Sequence, residues 1–296
     1  MNILNSIAHT FPAQWENLVF ILGDIRVVNQ YPYITKDVHP LCDIDEAVSM
    51  LGLLQYGDVI LHRGIGYLGN SAIPGWMKHA AMVTEDLRYS TELLQQDPNY
   101  IVQPINPARI QAVEAVSEGV LHRSVLHALL YDEVVVMRPI GLTNNEIKGA
   151  CLKAKRTVGS RYDTLFDFNI DEQLSYYAKV DSGDEDFLEK CKTGVVQAPR
   201  FSCTEVVAFA YSHVAGELGI NRIVHLGKEI IPADMYTGAH WEIVFASEST
   251  RKYLPTVDNG TMTYSTVASK VSISTSLQEK LYNYLVVQLG HASIKS

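Results

Sequence analysis

Cys203 stands in Arg200-Phe-Ser-Cys-Thr-Glu-Val-Val207, where a loop turns into an apolar helix. A thiol at a helix N-terminus meets the positive end of the macrodipole and unpaired backbone N–H groups. These favour the thiolate and could later hold an oxyanion. A buried structural cysteine is also compatible with Val206 and Val207 beside it. Nucleophilic sulfur chemistry needs, in addition, a histidine to take the thiol proton and a third polar group to hold the ring. Among ten histidines, His79 opens an alternating strand with Ala81 and Val83 on its own face, and the small Ala80-Ala81 pair leaves room for a close neighbour. A lone strand histidine is also a common structural residue. His62 lies on another strand, His9, His39 and His291 in extensions, His122 and His127 in a loop or helix, and His213 on the helix after Cys203. Glu114 interrupts Ala112-Val-Glu-Ala-Val116, where an unpaired carboxylate is costly to bury. It is either the orienting acid of a triad or the solvent-facing residue of an edge strand.

Other chemistries find less support. Gly64-Ile-Gly-Tyr-Leu-Gly69 matches GxGxxG, follows a predicted strand, and has Asp86 about 20 residues further on, as in a dinucleotide site. That mechanism needs a helix to start inside the glycines and hold the pyrophosphate. Pro74 and Gly75 break any such helix, so the loop is expected to be flexible and to rim a pocket. The four cysteines, Cys42, Cys151, Cys191 and Cys203, show no CxxC spacing, and with the histidines they show no standard zinc spacing. No metal or cofactor is expected, and the thiols read as free in a reducing compartment.

The elements that must position these residues form an α+β pattern. Residues 57–62, 79–84, 111–117, 133–140 and 240–246 read as strands, rich in Val and bounded by Gly, Pro or Ser. Asp43-Ile-Asp-Glu46 has capping-box spacing and opens a helix to about Leu54; Thr143-Asn-Asn-Glu146 opens a second, over Ile147 to Val158, that stops at Gly159. Ser182-Gly-Asp-Glu185 opens another. After Cys203, Val206, Val207, Ala210, Tyr211 and Val214 give an apolar stripe on one helix face, and Leu277 to Leu289 carries a similar stripe. Strands come consecutively before a helix and resume after one, which favours an antiparallel sheet over regular βαβ alternation.

Composition excludes whole classes of function. With 296 residues and 47% hydrophobic content, the chain can build a sizeable core, which rules out disorder as its main theme. Its 24 Lys and Arg against 33 Asp and Glu give a formal charge of −9 and no basic run, so nucleic acid is not an expected partner. No signal peptide and no apolar run of membrane-spanning length is visible, so a soluble cytoplasmic protein without integral membrane association is expected. The expected organisation is an extension over 1–42, a catalytic domain over 43–250 and a C-terminal extension over 251–296.

Several motifs in order carry a family likeness. They are Gly57-Asp-Val-Ile60, the glycine loop, His79-Ala-Ala-Met-Val83, Val113-Glu-Ala-Val116, Gly159-Ser-Arg-Tyr-Asp163, Phe201-Ser-Cys-Thr-Glu-Val-Val207 and Ile231-Pro-Ala-Asp-Met-Tyr236. Over roughly residues 50 to 245 the chain resembles the YiiX-like, circularly permuted branch of the NlpC-type papain-like cysteine peptidases, in which the histidine strand precedes the cysteine helix. The resemblance implies a permuted papain-like core: an antiparallel sheet or barrel packed against the helix that carries the nucleophile. It implies Cys203 as nucleophile, His79 as general base and then acid, Glu114 as the group orienting the ring, and Tyr162 lining the substrate pocket. Glu205 also matches the family, but as a first-turn helix acid, and Asp58 reads as a turn residue at the start of its strand. The segment from Asp163 to Pro199, acidic at Asp181 to Glu189, departs from the relatives as a long insertion over or beside the cleft. The implied activity is hydrolysis of an amide bond in a peptide or peptidoglycan-type substrate through an acyl-enzyme. Acyl transfer or lipid hydrolysis, as in relatives similar to lecithin retinol acyltransferase, is the second expectation, and capture of a small molecule without turnover the third.

Overall fold

The structure is a computed structural model that describes residues 25–28, 31–34, 42, 44–67, 77–86, 110–164, 170–212 and 241–251. Inside the segment read as an N-terminal extension, Ile25–Val28 (β1) and Tyr31–Ile34 (β2) pair antiparallel. The helix Ile44–Leu53 (α1) follows. Val59–Arg63 (β3), His79–Asp86 (β4), Ile110–Val116 (β5), Gly119–Ser124 (β6), Glu133–Pro139 (β7) and Trp241–Ala246 (β8) form a six-stranded sheet. Its order is β6-β5-β4-β3-β7-β8, and every neighbouring pair is antiparallel. The α+β expectation with an antiparallel sheet therefore holds.

The sheet is covered on both faces, which explains why Val134-Val-Val-Met137 reads as a continuous apolar run rather than an alternation. Val59, Leu61, Ala80, Met82, Val113, Ala115, Val135 and Met137 pack on one face against the helices Asn144–Arg156 (α3) and Cys203–Tyr211 (α6). Ile60, Ala81, Val83, Ala112, Val134 and Val136 pack on the other against α1 and the short helix Leu126–Leu129 (α2). Between α3 and α6 the chain forms Ile170–Ser182 (α4) and Glu185–Lys192 (α5), both in the segment read as an insertion. The cap of α5 is Asp184, whose side chain accepts from the Phe187 N–H, rather than Ser182. The capping box of Thr143 and Glu146 forms as expected at the start of α3.

Two expectations are corrected. The sequence pattern predicts about five strands and a loop or helix for His122 and His127; His122 lies instead on β6, and only His127 is helical, on α2. β6 was missed because Gly119-Val-Leu-His-Arg-Ser124 is half polar, as an edge strand is. Its turn is also only the two residues Ser117-Glu118 between the paired Val116 and Gly119. Gly119 adopts φ +112, and a Cβ there would stand 2.6 Å from the Ser160 carbonyl oxygen, so glycine is required. The stripe on one face of α6 is the second correction: all nine of its residues are buried. The helix is enclosed by the sheet, α3 and α4 together. Truncating Phe209 in this interior would cost about 3–5 kcal/mol. Tyr211, at the far end, donates to the Gly57 carbonyl at 2.7 Å and fixes the helix against the start of β3.

Asp43, the glycine loop beyond Tyr67, His9, His39, His213, His291, Val214 and the 277–289 stripe lie outside the described residues. Among the described residues, no helix is long and apolar enough to cross a membrane.

Candidate active site

Strand register builds one half of the site. His79, the first residue of β4, stands directly opposite His62 on β3. Glu114 on β5 stands opposite Ala81, two residues along from His79, so the two are diagonal neighbours on one face. Arg123 on β6 stands opposite Ala112, which makes it the next diagonal neighbour of Glu114. A polar row, His62, His79, Glu114 and Arg123, thus crosses four strands on a face otherwise filled by Ile60, Ala81, Val83 and Ala112. His79 Nε2 lies 2.9 Å from Glu114 Oε2, and Arg123 Nε donates to the other oxygen, Oε1. Glu114 is only 2% exposed, on a strand flanked by β4 and β6, which removes the solvent-facing edge reading.

The helix cap supplies the other half. Ser202 is the N-cap of α6: its hydroxyl accepts from the Glu205 N–H, and the Glu205 carboxylate accepts from the Ser202 N–H at 2.7 Å. This reciprocal box fixes Cys203 as the first helical residue. Although α6 packs on the face opposite the polar row, Cys203 lies near enough to the His79 imidazole, at the end of the sheet where β4 begins, for its charge to act on the ring. With Nε2 on Glu114, Nδ1 is the ring's other nitrogen.

Electrostatics join these groups. Burial pushes the His79 imidazole down, but the charge and hydrogen bond of Cys203, followed by those of Glu114, outweigh it and raise its pKa to about 10. The ring is therefore an imidazolium at neutral pH. Burial also works against the Glu114 carboxylate, yet His79 and Arg123 together hold it well below the usual carboxylate range. Tyr162 forms a bridge to Phe201, two residues before Cys203. Burial first, and then the charges of Cys203, Asp163 and Glu205, push its phenol well above its ordinary value, so the hydroxyl keeps its proton and can donate.

Glu205 and Asp58 hold structure. Glu205 is fully buried, and besides its cap it accepts from Gln173 Nε2 of α4 at 2.8 Å; the same amide donates to the Arg200 carbonyl at 2.9 Å. The segment read as an insertion is thereby tied to the start of the cysteine helix. Burial, with Asp163 adding to it, pushes the Glu205 carboxyl up to about 7. Asp58 accepts from the Gln55 N–H at 2.7 Å, as its turn role requires, and is gripped by both Nε and Nη2 of Arg138 at 2.8 Å.

Two residues of this site were not singled out by the sequence reading. Arg123 lies on the strand that was missed, and only pairing register places it beside Glu114. His62 was assigned to a strand without a role. It is 2% exposed, stacks on Tyr131 at 3.7 Å between ring centroids, and lies 4.6 Å from the His79 ring. Burial, then the His79 charge, push its pKa well below the ordinary value, so it is neutral. One ligand atom each from His62, His79 and Glu114 come within 4.8 Å of one another, a set of donors that could hold a metal.

No protein-family model, curated protein or solved structure matches the chain.

Proposed function

We propose that the protein is a thiol hydrolase acting on an amide bond, with Cys203 as nucleophile, His79 as general base and acid, and Glu114 as the group that orients the ring. The observation that carries this reading is the convergence of Cys203, His79 and Glu114, three residues far apart in sequence: Glu114 holds the His79 ring, and the Cys203 charge acts on it. The order of the chain supports it too: the histidine strand precedes the cysteine helix, as in the permuted papain-like core that the motifs resemble. Sulfur attacks the carbonyl carbon, and the oxyanion takes up first-turn N–H groups of α6, beginning with that of Cys203. The imidazolium gives its Nδ1 proton to the departing amine, leaving a thioester on Cys203. Water then gives a proton back to Nδ1 as its oxygen attacks the thioester, and the acid leaves with the thiolate and imidazolium restored. Tyr162, protonated and close to the sulfur, binds the substrate carbonyl side.

A small alkylating probe tests this reading. Cys42 and Cys151 are fully buried, and burial pushes the Cys151 thiol up to about 12, so the fair comparator is the partly exposed Cys191. At pH 6, iodoacetamide is expected to modify Cys203 ahead of Cys191, and His79→Ala to slow Cys203 alone by about 100-fold, the scale of a lost charge partner at close range. If Cys191 reacts first and His79→Ala changes nothing, the reading is wrong. Mass spectrometry after incubation with muropeptides and acyl lipids would then identify the acyl group carried on Cys203.

A further inference from the structure

We propose that His62, His79 and Glu114 form a binding site for Zn²⁺, and that the bound ion holds the proposed hydrolase inactive. The argument begins with His62. Its ring is buried, yet neither nitrogen has a hydrogen-bond partner among the described residues. Buried polar groups are ordinarily hydrogen-bonded, and leaving both ring nitrogens unsatisfied is costly. The stack on Tyr131 and the strand pairing with His79 hold the ring beside the polar row.

The donors suit the ion. Two imidazoles and one carboxylate are borderline ligands of the kind zinc takes, with room for water at a fourth position. Zn–N and Zn–O bonds of about 2.0–2.2 Å bring ligand atoms to about 3.3–3.5 Å from one another. The three ligand atoms already lie within 4.8 Å, so small side-chain rotations close the site, and the 2.9 Å between His79 Nε2 and Glu114 Oε2 opens only slightly. Arg123 stays on Glu114 Oε1 and leaves Oε2 for the metal. No ligand spacing betrayed this set in the sequence, because His62 and His79 meet through strand pairing and Glu114 through a diagonal contact.

The ion replaces the Nε2 proton of His79, which leaves to solvent. With zinc on Nε2, the ring could release its Nδ1 proton only by becoming an imidazolate, so it can no longer protonate a departing amine. That consequence rests on the hydrolase reading; the binding does not.

Calorimetry with Zn²⁺ and optical titration with Co²⁺ on the full chain test the site. One equivalent is expected to bind, and His62→Phe, which keeps a ring against Tyr131, to weaken binding by about 100-fold or more. X-ray absorption of the zinc-loaded wild type, which needs no variant, is expected to show two imidazoles and oxygen. Absence of stoichiometric binding, equal binding by His62→Phe, or one imidazole with sulfur overturns the proposal. Iodoacetamide labelling of Cys203 without metal keeps the two readings apart. Preferential labelling without a zinc site sinks only the metal proposal, and a zinc site without preferential labelling sinks only the hydrolase.

Discussion

The buried carboxylates Asp58 and Glu114 are each gripped by an arginine, and their environments push them in opposite directions. Asp58 has Arg138 as its one ion-pair partner among the described residues, and burial wins: its carboxyl lies above its ordinary value. Glu114 has Arg123 and the His79 imidazolium, and burial loses. Asp58 spends its remaining capacity on the backbone of its own turn, whereas Glu114 passes its charge through His79 to a sulfur atom. A buried ion pair closed on itself serves the fold. The same pair left open on one side can serve chemistry.

The largest expected effect comes from breaking the closed pair. Asp58→Ala removes the carboxylate that both Nε and Nη2 of Arg138 grip and should cost about 3–5 kcal/mol in denaturant unfolding while leaving the labelling of Cys203 in the folded protein unchanged. Glu114→Gln should cost less stability, about 1–3 kcal/mol, because His79 can give up its proton and Arg123, with 29% of its side chain exposed, reaches water. Its labelling of Cys203 should nevertheless fall steeply. Equal labelling losses in both variants would erase the distinction between the pairs.

What the sequence revealed follows the same division. Cys203, His79 and Glu114 were legible because each breaks a local pattern: a cysteine at a helix start, a histidine opening a strand, and an acid within an apolar run. Arg123 and His62 break no pattern. Their significance lies in which residue faces them across a strand, and register is a property of the folded sheet. The α+β class was legible from the periods, but β6 was hidden by its polar edge character. The enclosure of α6 was hidden as well, since its stripe gives no hint that α4 covers the remaining face.

Stability against pH sharpens the comparison next, by at most about 1.4 kcal/mol per pH unit for each proton. The depressed Glu114 contributes stability that is present above 4.5 and lost as pH falls through its folded value. His79, raised from 6.5 to about 10, contributes stability that is full below 6.5 and lost as pH rises through about 10. Glu205, raised from 4.5 to about 7, favours the fold fully below 4.5 and loses that contribution as pH rises through about 7. Unfolding midpoints should therefore fall in two steps as pH rises, one ending near 7 and one near 10. Glu205→Gln should remove the step that ends near pH 7 and keep the one that ends near 10. A single step that vanishes with Glu205→Gln would contradict the imidazolium.

The smallest effect separates the two arginines. Arg123 touches no reacting atom and acts by holding Glu114, so it is a positioning residue. Arg123→Met leaves Glu114 on His79 with one anchor instead of two, and Cys203 labelling should slow by about threefold to tenfold, the worth of one charged hydrogen bond partly open to water. Arg123→Lys restores a cation opposite Oε1 and should recover most of the rate. Arg138→Met should behave in the opposite way, lowering stability more and labelling not at all, because its carboxylate is not among the groups that act on the His79 ring. A labelling loss in Arg123→Met that lysine fails to restore, matched by an equal loss in Arg138→Met, would mean that both pairs only hold the sheet together.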